Sequence, residues 1–215
     1  MTKNNNTSLN SWLELCRSIS AKREEQYCYA TIVDYYSQPV RKYHTLNHIS
    51  HCLNELDEHF SAHQNIAAIK TAVWFHDIVY VPNSAVNEEF SAAFAQSCLT
   101  RIGVQSAFIA NIQRLIFATR LGFKLPLVDS GEAVVVDVDL SILGQPPEVF
   151  DIYEKNVRLE YKHVSEATFW SARTKILKLF LKKKHIFNTQ VFTDLYEHAA
   201  RENIARSVKA AIARR

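Results

Sequence analysis

Glycine and proline are scarce in this chain, and their scarcity limits the folds that it can adopt. The 215 residues include 4 glycines and 5 prolines, where ordinary usage would give roughly 15 and 11. β-Sandwiches and barrels need a turn about every 8–12 residues, and those turns depend on glycine and proline. The 68 residues after Pro147 contain neither. The sequence therefore predicts an all-α fold, a single domain of about eight to nine helices.

The same scarcity bears on how a phosphate group could be held. The four glycines stand apart, at positions 103, 122, 131 and 144, so neither G-x-G-x-x-G nor the P-loop motif can be written. Any bound phosphate would need a metal ion or cationic side chains rather than a glycine-rich loop.

Composition indicates a globular chain, with 47% hydrophobic and 22% charged residues. No apolar run reaches the roughly 18–20 residues of a membrane helix, and the first eight residues lack the apolar core of a signal peptide. The four cysteines, at positions 16, 28, 52 and 98, show no C-x-x-C spacing. We therefore expect free buried thiols, a cytoplasmic location and no membrane partner.

Charge is distributed unevenly along the chain. Residues 1–147 carry 11 Lys and Arg against 14 Asp and Glu, whereas residues 148–215 carry 14 against 8. The cluster Lys182, Lys183 and Lys184 lies in the basic part, without the interleaved aromatic residues of single-strand binding surfaces. A solvated helix end explains the lysine cluster better, so we expect no nucleic-acid partner. We further expect the protein to be a monomer or a homodimer.

Apolar residues recur at helical spacing along most of the chain. One stripe predicts a helix from Ile66 to Tyr80 that stops near Pro82. Residues 132–143 favour a short buried helix, although the run of three valines could also form a strand. Thr45 or Asn47 is the expected N-cap of the helix that carries Ile49. Three further helices are expected after Pro147, with Ser165 as the N-cap of one of them. The three late helices are expected at roughly 148–163, 165–184 and 190–213.

Histidine and aspartate occur within the apolar segments. His76 and Asp77 interrupt Ala-Val-Trp-Phe-His-Asp-Ile-Val-Tyr, and Asp137 and Asp139 interrupt a valine-rich run. Ionisable groups in such segments need polar partners or a metal ion. Together with His48, two imidazoles and two carboxylates would suit Mn, Fe, Co, Ni or Zn. Hydrogen-bonded core histidines and capping or ion-paired aspartates remain the alternative.

The order His48, His76-Asp77 and Asp139 resembles that of the HD superfamily of metal-dependent phosphohydrolases. Further motifs are similar to a bacterial branch of predicted phosphohydrolases in that superfamily: R-x-Y-H before His48, F-H-D at His76, N-E-x-x-S-A from Asn87 and D-x-D-L-x-I-L-G from Asp137. Similar blocks also occur at 157–161 and 200–203, so the resemblance covers most of the chain.

The resemblance implies an HD-type helical domain and a metal site. The implied ligands are His48, His76, Asp77 and Asp139, with Asp137 as the alternative to the last. No histidine stands between Asp77 and Asp139, which predicts one divalent ion, from among Mn, Fe, Ni, Co, Mg and Zn, rather than two. The implied segments are N-terminal helices packed on the core (1–37), the metal-site core (38–147) and C-terminal helices (148–215).

The implied reaction is hydrolysis of a small phosphate ester, by a phosphomonoesterase or phosphodiesterase that could act on a nucleotide. Asp77, Glu88 and His44 are the candidate catalytic residues. The alternative is a metal-containing ligand-binding or regulatory protein without turnover, which the missing histidine favours. Cationic residues near the ligand segments, and one in the C-terminal helices, are the candidate substrate-binding residues: Arg41, Lys42, Arg120, Lys124 and Arg158.

Overall fold

The computed structural model of the protein describes residues 6–120 and 130–213. This part of the chain contains ten α-helices, one 3-10 helix at Ser141–Gly144 and no strand. The all-α prediction is confirmed, and the helix count is slightly higher than the eight or nine expected. Among the described helices, none combines the length and apolar character needed to cross a membrane. The helices are α1 (Leu9–Ser18), α2 (Glu25–Tyr36), α3 (Leu46–His59), α4 (Ile66–Phe75), α5 (Asn87–Arg101), α6 (Ser106–Ala118), α7 (Ser130–Leu140), α8 (Pro147–Glu160), α9 (Glu166–Lys182) and α10 (Gln190–Ala213).

The chain forms two compact units, Met1–Val138 and Asp139–Arg215, and the boundary falls inside α7. In the first unit, α4 is the central helix because it packs against α1, α3, α5 and α6. Its sequence is almost entirely apolar, so it buries residues on every side, as expected for a helix surrounded by others. The three-segment division expected from the sequence stays a prediction.

Helix α4 ends at Phe75, earlier than the predicted end at Tyr80. Two backbone groups that a longer helix would pair are bound from elsewhere in the chain, because Tyr36 donates to the Trp74 carbonyl and the Val79 amide donates to Ser91 Oγ. Arg41 donates to the carbonyls of Asp77 and Ile78, and Ser91 exchanges hydrogen bonds with the backbone of Val79. The apolar stripe continues past Phe75, but the backbone that carries it is no longer helical.

The second unit consists of the end of α7, the 3-10 helix and α8 to α10. The three predicted late helices are confirmed, with Ser165 accepting a hydrogen bond from the Thr168 amide as the N-cap of α9. Helix α10 packs closely against the 3-10 helix and α9. A β-carbon at Gly144 would overlap the side chain of Tyr196, so this contact requires glycine. Residues 130–140 are helical, which decides the helix-or-strand alternative.

The expectation of four free thiols is wrong for two of the cysteines. Cys28 on α2 and Cys98 on α5 form a disulfide with their Cα atoms 6.2 Å apart. They are separated by 70 residues, and sequence spacing does not reveal a pairing between two helices. Among the described residues, Cys16 and Cys52 are buried and form no disulfide. Burial, with a smaller contribution from Glu25, raises the pKa of Cys16 to about 12, so this thiol is unreactive.

Candidate metal centre

His76 and Asp77 lie immediately after α4, where the helix gives way to a turn. The His76 amide still bonds to the Ala72 carbonyl, so the ring is held against the last helical turn. Its Nδ1 lies 2.9 Å from the Val73 carbonyl oxygen. Because a carbonyl can only accept, Nδ1 carries the proton, and the lone pair of the neutral ring is on Nε2. The side chain is 2% exposed.

His48 lies on the first turn of α3, which Thr45 caps by accepting a hydrogen bond from the Asn47 amide. Thr45 was one of the two expected caps. The His48 ring is buried, and its Nδ1 lies 3.0 Å from the hydroxyl oxygen of Tyr43. A hydrogen bond at Nδ1 orients the ring and leaves Nε2 to act as a ligand, as in most histidine metal sites.

Three ligand atoms converge in the first unit. The Nε2 atoms of His48 and His76 are 3.1 Å apart, and Asp77 Oδ2 lies 3.7 Å from the first and 3.2 Å from the second. Metal–ligand bonds of about 2.0–2.2 Å with angles near 90–110° place neighbouring ligand atoms about 2.8–3.6 Å apart. The measured separations are close to this range, so the three donors fit one ion.

Asp139 completes the group. One ligand atom from each of His48, His76, Asp77 and Asp139 lies within 4.8 Å of the others. Asp139 stands on the last turn of α7, the continuous helix that also carries Asp137. The group contains Asp139 and not the fully buried Asp137, as expected from their separation of about 200° around a helix. The charges of two carboxylates balance one divalent ion.

The Asp77 carboxylate is stabilised in its ionised form. Burial by itself raises the pKa of Asp77, but the neighbouring His76, His44 and His48 outweigh it and hold the pKa well below its ordinary value. The carboxylate is therefore an acceptor and ligand at neutral pH and carries no proton to donate.

His44 and Lys42 flank this group in sequence but occupy different environments. His44 is half-buried before the start of α3, with Nε2 3.9 Å from Asp77 Oδ2, and its ring stacks on Tyr80 with 3.9 Å between centroids. Lys42 is exposed. His44 thus lies at the edge of the ligand group, and its catalytic role stays a prediction, as does substrate binding by Lys42.

The other candidate substrate-binding residues are engaged with protein groups. Arg41 and Arg158 both donate to backbone carbonyls, Arg158 to those of Tyr161 and Val164 within the second unit. Arg120 donates to Glu89 and to the Ala85 carbonyl, each at 2.6 Å. Lys124 lies outside the described residues. Substrate binding by any of the four stays a prediction.

Glu88 lies on the first turn of α5, within electrostatic range of Asp77. Burial first, and the charge of Asp77 after it, raise the pKa of Glu88. The raised pKa means that ionisation costs the folded protein more than the unfolded chain, so the carboxylate destabilises the fold at pH values above that pKa. Below the ordinary glutamate pKa, both states are protonated and this effect is absent.

We therefore expect Glu88→Gln to raise the melting temperature at about pH 8 in the presence of a chelator, and to leave it unchanged at about pH 4. Thermal denaturation of the metal-free protein at both pH values measures this. Glu58→Gln, at an exposed position on α3, is the matched control and should show no pH-dependent difference. An equal change at both pH values would contradict the argument.

Sequence reasoning missed the residues that support the ligands. Tyr43 orients His48, and the Cys52 thiol packs 3.7 Å from His48 Nδ1 while contacting the Val138 carbonyl. The side chain of Asn87 bonds both the amide and the carbonyl of Val81, next to the ligand turn. Tyr43 belongs to the R-x-Y-H motif and Asn87 to the N-E-x-x-S-A motif. Membership of these motifs was the sequence signal that could have identified the two residues.

The described geometry therefore provides a four-residue group of two histidines and two aspartates that is close enough to bind a metal ion of unidentified type. Comparisons of the chain with models of protein families, with curated proteins and with solved structures find no match.

Proposed function

We propose that this protein is a metal-dependent hydrolase of a small phosphate ester. The observation that carries the proposal is the convergence of His48 Nε2, His76 Nε2 and Asp77 Oδ2 within 3.7 Å of one another, with Asp139 in the same group. The order of these ligands and the motifs around them, which resemble HD phosphohydrolases, support phosphate-ester hydrolysis as the reaction class.

Each ligand has a defined task in this proposal. A divalent ion bound by this group would act as a Lewis acid and lower the pKa of a water molecule. Asp77 stays ionised because its pKa is held low, so its carboxylate both binds and accepts hydrogen bonds. The Val73 carbonyl and the Tyr43 hydroxyl orient the two imidazoles, so the ligands are placed before substrate arrives.

Glu88 and His44 are the candidate catalytic residues, and we assign them different tasks. A general acid works best when its pKa is close to the working pH, and burial raises the pKa of Glu88 in that direction. His44 lies beside Asp77 and is half-buried, which places an imidazole at the edge of the site. We assign Glu88 to protonating the leaving oxygen, and His44 to contacting the phosphate.

The test begins with the metal content of the purified protein. Phosphomonoesters, phosphodiesters and nucleotides are then assayed with Mn²⁺, Ni²⁺, Co²⁺ or Mg²⁺, with and without a chelator. We expect hydrolysis that the chelator abolishes, and we expect the double variant His76→Ala, Asp77→Ala to lose both metal and hydrolysis. His198→Ala is the control, because this histidine is 87% exposed on its side chain and lies in the second unit.

The competing function is metal-dependent ligand binding without turnover. The interval between Asp77 and Asp139 contains no histidine. This interval therefore supplies no imidazole for proton transfer, which supports binding without turnover. This alternative predicts a metal-dependent thermal shift with a phosphorylated ligand and no release of phosphate. A double variant that retained metal and hydrolysis would contradict both functions at this site.

A further inference from the structure

Arg41 is a buried cation whose hydrogen bonds are made to the backbone beside the metal ligands. It is 4% exposed. Its Nη1 donates to the carbonyls of His44 and Asp77 at 3.1 and 2.7 Å, and its Nη2 donates to the Ile78 carbonyl at 2.7 Å. The guanidinium therefore joins two stretches of chain, the one that precedes α3 and the one that follows α4.

The carbonyls that Arg41 binds belong to the turn after α4. A helix leaves its last four carbonyls without intrahelical partners, and a cation near this end is favoured by the helix dipole. Of these last four carbonyls, that of Trp74 accepts a hydrogen bond from Tyr36 at 3.1 Å, and the Arg41 guanidinium lies 5.1 Å from the Tyr36 ring centroid. Together they hold the end of α4 from outside the helix.

This arrangement fixes Asp77 relative to His48. A single Arg41 nitrogen, Nη1, donates to the carbonyls of both Asp77 and His44. His44 lies four residues before His48, so this nitrogen links the segments that carry the two ligands. A rotation of the turn that carried Asp77 Oδ2 away from the imidazoles would break these bonds. The planar guanidinium can hold several carbonyls in fixed directions, whereas a lysine ammonium is a compact charge on a flexible stem.

We infer that Arg41 is a positioning residue for the metal centre, which sets the separation of Asp77 from His48, and that it does not contact the substrate phosphate. The inference rests on the proposed metal-dependent function, and it replaces the substrate-binding role predicted for Arg41.

The test is Co²⁺ affinity, measured by titration of the full chain in its native, Arg41→Lys and Arg41→Ala forms. Loss of a group that supports a metal ligand costs about 10- to 100-fold in metal affinity, and we expect a loss of this size in both variants. Millimolar guanidinium ion should restore part of the affinity of Arg41→Ala and leave that of Arg41→Lys low. The visible Co²⁺ spectrum should change in both variants.

Two controls separate positioning from general loss of stability. Ile112→Ala removes a fully buried side chain of α6 and should lower the melting temperature while leaving Co²⁺ affinity and its spectrum unchanged. Val40→Ala alters the exposed neighbour of Arg41 and should change neither property.

Native Co²⁺ affinity in both Arg41 variants, or an equal loss of affinity in Ile112→Ala, would overturn the inference. Native affinity combined with a raised KM for an ester would instead assign Arg41 to the substrate. Failure of the native chain to bind Co²⁺ would overturn both the inference and the proposed function. A native chain that binds Co²⁺ but hydrolyses no ester contradicts the function alone, because affinity still decides the role of Arg41.

Discussion

Replacing His76 with glutamine is expected to lower the affinity for a divalent ion by about three orders of magnitude or more, beyond the roughly 10- to 100-fold cost of losing a supporting group. His76 Nε2 lies between the other two donors of the first unit, 3.1 Å from His48 Nε2 and 3.2 Å from Asp77 Oδ2. Its removal deprives the ion of one of four ligands and leaves Asp77 without its nearest imidazole.

Thermal denaturation with added metal measures this effect directly. An ion that binds only the folded chain stabilises the native protein by about 2.7 kcal/mol at 100 times its dissociation constant, and the variant should show almost none of this stabilisation at the same concentration. Glutamine retains much of the volume of the buried ring, so the metal-free variant should remain folded by circular dichroism. His198→Ala should shift like the native protein, and a similar shift in His76→Gln would contradict the ligand assignment.

Much of the fold could be predicted from local sequence patterns. The 68 residues without glycine or proline form α8, α9 and α10, because nothing in them interrupts helical spacing except polar caps such as Ser165. The end of α4 could not be predicted in this way. The apolar stripe continues to Tyr80, but the helix stops at Phe75, where the Trp74 carbonyl accepts a hydrogen bond from Tyr36 and the Val79 amide donates to Ser91. Helical periodicity contains no information about such partners.

The metal ligands, like the helices, could be predicted from a local sequence pattern. The residues that hold those ligands in place could not. A histidine–aspartate pair inside the apolar segment at His76 is visible in the sequence because such groups are costly to bury alone. Whether Arg41 faces a substrate or a backbone carbonyl depends on tertiary packing, and its charge is the same in either case. The Cys28–Cys98 disulfide likewise depends on two helices that meet only in the folded chain.

In the second unit, replacing Arg173 with leucine is expected to lower the free energy of unfolding by about 3–5 kcal/mol, the usual cost of leaving a buried charge without its partner. Arg173 Nε donates to Glu154 Oε1 at 2.9 Å, and Nη2 contacts the same oxygen and the Tyr153 hydroxyl. Both side chains of the pair are nearly buried. Without Arg173, the remaining hydrogen bond to Glu154 within residues 6–120 and 130–213 would be the one from Ser207.

Urea denaturation of the native protein, Arg173→Leu, Glu154→Leu and the double variant measures the coupling. The double variant should recover most of the lost stability, because two apolar side chains of similar size can replace a buried ion pair at little cost. Arg206→Leu is the matched control, since its pair with Asp151 is about half exposed and such pairs contribute about 0–1 kcal/mol. Equal losses in Arg173→Leu and the double variant would mean that Arg173 stabilises the unit through its packing rather than through the charge of Glu154.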